Sequence, residues 1–183
     1  MLEPGPILPA QHPALLALNN LHAEAVNALD AAGFAALCQA ALWTGALWQG
    51  GRPLGFLIAL QPGGPATGPN HGWMQANRPG AAYIDRVVVD AAAQGQGTGR
   101  ALYAALAAAA LQAGLAELGC EVNLDPPNPA SMGFHTRLGF APVGEATDPR
   151  NGKVVRYLAA PAAPLTAHFL RSPDQRPCPA GQG

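Results

Sequence analysis

Between Tyr83 and Leu111 the chain runs YIDRVVVDAAAQGQGTGRALYAALAAAAL, and this stretch constrains the fold more than any other. Tyr83–Asp90 is a β-branched run centred on Val87, Val88 and Val89, the composition of a buried strand. Gln94–Gly99 (QGQGTG) is a loop with three glycines in five positions. From Arg100 to Gly114 Ala and Leu dominate without a breaker, which predicts a helix. A strand, a glycine loop and a helix start bring free backbone N–H groups together at the positive end of a helix. That is a physical site for a phosphate or pyrophosphate.

Two familiar phosphate loops are excluded by spacing. A Walker A loop ends Gly-Lys-Ser/Thr, whereas this one ends Gly99-Arg100-Ala101. A dinucleotide fingerprint starting at Gly95 needs glycine where Arg100 stands, and it belongs early in a parallel βαβ layout. Here a hairpin pair precedes the loop.

The chain in order predicts one domain. Met1–Pro13 is a proline-rich entry with a short strand at Pro6–Pro9 and no basic region followed by an apolar core, so no secretory signal is expected. A helix over Ala14–Leu21 ends or bends at Asn19, Asn20, His22 and Glu24, and Asp30 caps a second helix, Ala31–Ala41. Asn19, His22 and Glu24 either line a cleft or form a solvated helix end. Leu42–Trp48 and Pro53–Leu60 are strands of a hairpin. Gln61–Gly80 is expected to be a loop of roughly twenty residues, long enough to be a lid or binding loop. Its Trp73 either pins it to the surface or walls a pocket. Glu117–Leu124 is a further buried strand. Asn128 caps a helix over Pro129–Leu138, with Pro129 at its first position and Gly139 ending it. Phe140–Val143 and Lys153–Leu158 form the last hairpin. Pattern is lost beyond Ala160, giving a domain over residues 1–160 and a tail over 161–183 expected to be largely disordered.

Composition narrows the function classes. The net charge of −1 argues against general nucleic-acid binding, which needs a basic face. The three cysteines, Cys38, Cys120 and Cys178, form no CxxC pair and suggest neither a disulfide framework nor a zinc site. No metal is expected. No apolar run reaches the about 18 residues of a membrane span, so no membrane partner and a cytoplasmic location are expected.

Gln94-x-x-Gly97-x-Gly99, placed after a Val-rich strand and before a helix, resembles motif A of the GNAT (Gcn5-related) N-acetyltransferases. A second segment, Asn128-x-x-Ser131-x-x-Phe134-His135-x-x-Leu138-Gly139-Phe140, is similar to the same family's N-x-x-A/S-x-x-F-Y-x-x-L-G-F. The resemblance covers about residues 15 to 160, the N-terminal part by element order alone. It implies a mixed α/β fold with flanking helices around a sheet of six or seven strands. The sheet would be mostly antiparallel, with the strands Tyr83–Asp90 and Glu117–Leu124 splayed apart. It also implies acetyl transfer from acetyl-CoA to a primary amine in a ternary complex, and a homodimer as one assembly.

By the same resemblance, the backbone of Val87, Val88 and Val89 pairs with the pantetheine arm, and an N–H near Val87 polarises the acetyl carbonyl. In the motif that Gln94 opens, amides from Gly95, Gln96, Gly97, Thr98, Gly99 and Arg100 hold the pyrophosphate, and the Arg100 side chain either adds a contact to phosphate or is a solvated first-turn residue. Asn128 bonds the arm, and Phe134 packs beside it or in the core. The departure is His135, where most members carry Tyr as the acid that protonates the departing thiolate. An imidazolium could do this with a pKa near about 6.5 instead of about 10; water, or no efficient transfer, are the other readings. Asp85 shares a strand face with Val87 and Val89, so it is a candidate general base or a carboxylate tied to a structural partner. Its neighbour Arg86 points the other way. Glu24 is the second base candidate, and Asn19 and Trp73 are candidate acceptor contacts. The acceptor is a small-molecule amine or a protein N-terminus. The alternative from another class is a non-catalytic acyl-CoA-binding sensor or interaction domain.

Overall fold

The computed structural model describes residues 3–170. Element order is α1 (His12–Leu21), α2 (Ala23–Val26), α3 (Ala31–Ala40), β1 (Ala41–Gln49), β2 (Arg52–Leu60), α4 (Pro69–Asn77), β3 (Ala81–Val89), α5 (Thr98–Gln112), β4 (Glu117–Asp125), α6 (Pro129–Arg137), β5 (Ala141–Thr147), β6 (Val154–Pro161) and α7 (Ala162–Leu170). The six strands form one sheet in the order β1-β2-β3-β4-β6-β5. All neighbours are antiparallel except β3 and β4.

Alternation on the strands builds a core on each face of the sheet. On β2, Leu57 and Ala59 pack with Leu102, Leu106 and Ala110 of α5 and Leu165 of α7, while Phe56, Ile58 and Leu60 pack with Leu15 and Leu18 of α1, Phe34 and Leu37 of α3 and Met74 of α4. Each fully buried Leu or Phe contributes about 1.5–3 kcal/mol of apolar transfer. The capping residues perform as their chemistry requires: Asp30 Oδ1 accepts from Gly33 N at 2.7 Å and Asn128 Oδ1 from Ser131 N at 3.1 Å.

The strand β3 carries a bulge. Val87 and Arg86 stand opposite Leu57 and Ile58, but Ala59 stands opposite Ile84, so Asp85 is an extra residue. The insertion flips the alternation: Tyr83 and Val88 share one core, and Ile84 and Val87 the other. Asp85 therefore does not share a face with Val87. It turns to its neighbour, accepting from Arg86 Nε at 2.8 Å, so the two residues expected to diverge are an ion pair.

Three elements differ from the sequence reading. Residues 61–80 are not one loop, because Pro69 starts the helix α4 and frees Asn70, His71 and Met74 to be buried. Pro6–Pro9 is no strand; an isolated bridge, Gly5 to Ala46, and a short turn of helix at Pro9–Gln11 take its place. At the other end β6 runs to Pro161 and α7 follows, packed on α5 through Leu165. So residues 161–170 of the tail expected to be largely disordered are strand end and helix, and the remainder, 171–183, lies outside the described residues. Among the described residues no helix is long and apolar enough to cross a membrane.

Candidate active site

The site begins where β3 and β4 part. They pair in parallel at Ala81–Glu117, Ala82–Leu118 and Tyr83–Gly119 only. Beyond that β3 stays with β2 and β4 with β6, so the facing backbone groups from Ile84 and Cys120 onward have no partner strand across the gap. Two cavities occupy the opening. A groove of about 910 Å³ runs from Val87–Val89 over the glycine loop to Asn128, Phe134 and His135. A smaller cavity of about 200 Å³ lies between the strands, with Asp85, Tyr103, Glu121 and Asp148 among its walls. Ala25, Val26, Val87, Asn128, Ser131 and His135 border both, so the cavities meet there.

The groove has the backbone features of a phosphate site. Asp90 accepts from Ala92 N at 2.9 Å and from Arg52 Nη2 at 2.7 Å, which anchors the turn out of β3 and holds the Asp90 carboxyl below the usual carboxylate range. Gly97 precedes α5 with φ +86°, a left-handed conformation that favours glycine. The first amides of α5, from Thr98 on, have no acceptor within the helix and open onto the groove that Thr98, Gly99 and Arg100 border. A Cβ on Gly99 would stand 3.0 Å from Phe134 Cζ, so the glycine lets α5 and α6 approach. Gln94, Gly95, Gly97, Thr98, Gly99 and Arg100 all border the groove, but Gln96 does not: its amide donates back to Ala92 O at 2.7 Å.

The small cavity holds a carboxyl that sequence reasoning missed. On β4, Leu118, Cys120 and Val122 belong to the α5 core, which turns Glu121 to the opposite face. There Glu121 accepts from Tyr83 Oη at 2.8 Å and from Asn70 Nδ2 at 3.1 Å. Asn70 Oδ1 in turn accepts from Tyr157 Oη at 2.9 Å. Desolvation pushes the Glu121 carboxyl up to about 7; the two donated hydrogen bonds pull it down, and Asp85 pushes it further up. A carboxyl that changes charge near neutrality is suited to taking a proton from an amine. The signal in the sequence was a glutamate flanked by Cys120 and Val122 in the middle of a strand expected to splay.

The other expected residues are placed as follows. His135 is buried, 2 % exposed. Its Nδ1 lies 2.8 Å from Ser131 O and its Nε2 2.6 Å from Tyr103 Oη. A carbonyl can only accept, so Nδ1 carries the hydrogen and Nε2 accepts from the phenol. Burial also lowers its pKa, so the resting ring is neutral, unlike the imidazolium considered from sequence. Asn19 is fully buried and borders neither cavity; it accepts from Arg86 Nη1 at 2.9 Å and donates to Asn27 O at 3.1 Å. Trp73 borders neither cavity and stacks on Tyr157 at 3.7 Å between ring centroids. Glu24 is exposed, and only its backbone oxygen is engaged, accepting from Lys153 Nζ at 2.7 Å. That bond ties the turn before β6 to the Ala25–Asn27 segment, and both border the small cavity. Asp85 borders the cavity but is held by Arg86. Cys120 is buried and its thiol pushed well up, so it offers no thiolate.

The chain matches the acetyltransferase (GNAT) family over residues 17–140. No curated protein matches it. Among solved structures, the ribosomal-protein-S18-alanine N-acetyltransferase from Escherichia coli superposes with a TM-score of 0.65 at 20% identity, covering 88% of this chain and 94% of that one. Ard1 from Thermoplasma volcanium gives a TM-score of 0.70 at 14% identity, covering 86% and 95%. A Bacillus anthracis acetyltransferase in complex with acetyl coenzyme A gives 0.51 at 18% identity, covering 65% and 62%.

Proposed function

The chain belongs to the GNAT acetyltransferase family and uses acetyl-CoA as acetyl donor, and we propose that its acceptor is a primary amine held in the small cavity beside Glu121. The observation that carries this reading is the meeting of two cavities at Val87 and His135, one shaped for the donor and the other holding a carboxyl with a pKa of about 7.

The bound donor supplies an activated thioester carbonyl. The chain's residues do the rest. The Gly95 and Gly97–Arg100 backbone and the Arg100 guanidinium hold pyrophosphate, Val87–Val89 present strand edge to the pantetheine arm, and Asn128 and Phe134 flank it. A backbone N–H near Val87 would donate to the carbonyl oxygen of bound acetyl-CoA. Such a donor typically supplies about 3 kcal/mol to the developing oxyanion. Glu121, ionised above about pH 7, accepts the ammonium proton and leaves a neutral nucleophile. The amine then attacks directly, with no covalent enzyme intermediate, in keeping with the buried Cys120 thiol.

The acceptor is a small-molecule amine or a protein N-terminus; the E. coli neighbour is named for an alanine of a ribosomal protein. The free thiols of Cys38 and Cys120 support a reducing, cytoplasmic setting. The open edge of β5 supports assembly as a homodimer, which light scattering tests.

A thiol-release screen over amine classes, run beside calorimetry with CoA, ATP and NAD, tests the proposal. CoA alone is expected to bind, at least one amine class to turn over, and Glu121→Gln to lower kcat by about 100-fold with CoA binding retained. Tight CoA binding with no thiol release from any amine would sink the amine-acceptor reading.

A further inference from the structure

Tyr103 is a fully buried phenol in the middle of α5 that nevertheless borders the small cavity. Its hydroxyl hydrogen is committed to His135 Nε2 at 2.6 Å, and His135 is committed through Nδ1 to Ser131 O at 2.8 Å. Hydroxyl, imidazole and orienting oxygen thus form a chain in which the ring can take a proton from the phenol without moving. The phenol's oxygen keeps lone pairs for a donor in the cavity. His135 borders both cavities and Tyr103 the small one, so this chain lies beside the junction where acetyl transfer would occur. The cavity's other phenol, Tyr83, is spent on Glu121.

We propose that the Tyr103–His135 pair is a proton shuttle, carrying to the departing sulfur a proton shed by the attacking nitrogen. This rests on the amine-acceptor reading above. Glu121 takes the first proton, from the ammonium. As the N–C bond forms, a second N–H bond breaks onto Tyr103 Oη while the phenol's own hydrogen moves to His135 Nε2. The ring becomes a cation with Nδ1–H still on Ser131 O. As the C–S bond breaks, Nε2–H returns to Oη and Oη–H passes to sulfur. One N–H is lost, one S–H is gained, and the pair ends as it began. Burial keeps the imidazole neutral at rest and makes its cation a ready donor, since a thiolate is the stronger base.

The test compares Tyr103→Phe and His135→Gln with the wild type. Gln at 135 can accept the phenol's hydrogen but cannot carry it onward, which separates shuttling from positioning. Both variants are expected to lower kcat by about 100-fold, with CoA affinity by calorimetry within about twofold of wild type. Wild-type kcat in either variant overturns the shuttle. A readout free of turnover is the 15N spectrum of histidine-labelled wild type. A neutral ring protonated on Nδ1 is expected near pH 7, and an Nε2–H ring or a cation overturns the proposal even if both variants misfold. Loss of thiol release in the wild type itself would instead overturn the amine reading, and the shuttle with it.

Discussion

Tyr83 gives its phenolic hydrogen to Glu121 at 2.8 Å, joining β3 to β4 just past the point where their backbones stop pairing. The bond spans the gap that the splay creates and helps hold the Glu121 carboxyl near neutrality against the desolvation that raises it.

Removing that hydrogen bond therefore has a signed consequence. Tyr83→Phe takes away a contact that lowers the Glu121 pKa, so the pKa rises above about 7. The acidic limb of the kcat/KM profile is expected to move to higher pH, by up to about one pH unit for a hydrogen bond of roughly 1 kcal/mol. A limb that stays in place would remove Glu121 as the group responsible.

Stability carries the opposite pH signature from an ordinary paired carboxylate. Because folding raises the Glu121 pKa, the native state holds its proton more tightly than the unfolded chain. The stabilising contribution is complete below the usual carboxylate range and is lost as pH rises through about 7. Glu121→Gln has no proton to lose, so in urea titrations its stability relative to wild type is expected to grow between about pH 5 and pH 7.5.

Two of the loop's three glycines, Gly97 and Gly99, differ in what they prevent. Gly97→Ala forces an L residue to φ +86°, expected to cost about 1–2 kcal/mol in thermal unfolding. Gly99→Ala has no such strain, but its Cβ would stand 3.0 Å from the Phe134 ring and push α6 from α5 at the groove. Calorimetry is expected to show several-fold weaker CoA binding in Gly99→Ala, with a smaller loss of stability than in Gly97→Ala.

Asn19 acts on the fold and reaches the cavity through Arg86 and Asn27, both of which border it. In Asn19→Ala the buried Arg86 guanidinium loses its 2.9 Å partner and the Asn27 oxygen its 3.1 Å donor. The expected cost is about 1–3 kcal/mol by urea unfolding. A variant as stable as wild type but with a raised amine KM would return Asn19 to the acceptor site.

The residues that border the larger groove were legible because most of them are local. A strand, a glycine loop and a helix start lie within residues 83–111, and the Asn128 cap lies at the start of α6. The surroundings of the small cavity were read poorly, since they depend on how distant segments pair and pack. Asp85 looked like a cleft carboxylate by strand alternation, and one bulge turned it to Arg86. Trp73 looked like a pocket wall, and α4 laid it on Tyr157, 84 residues away in sequence (157 − 73).

The sequence by itself determined what the chain binds on the donor side: left-handed glycine and free helix amides are properties of neighbouring residues. Only the tertiary structure sets apart the carboxyl proposed as the base. Glu121 has its pKa because β4 parts from β3, α4 brings Asn70 over it and Tyr83 reaches it across the gap. Desolvation and hydrogen bonding by groups 38 and 51 residues away set that value, and no local pattern encodes either.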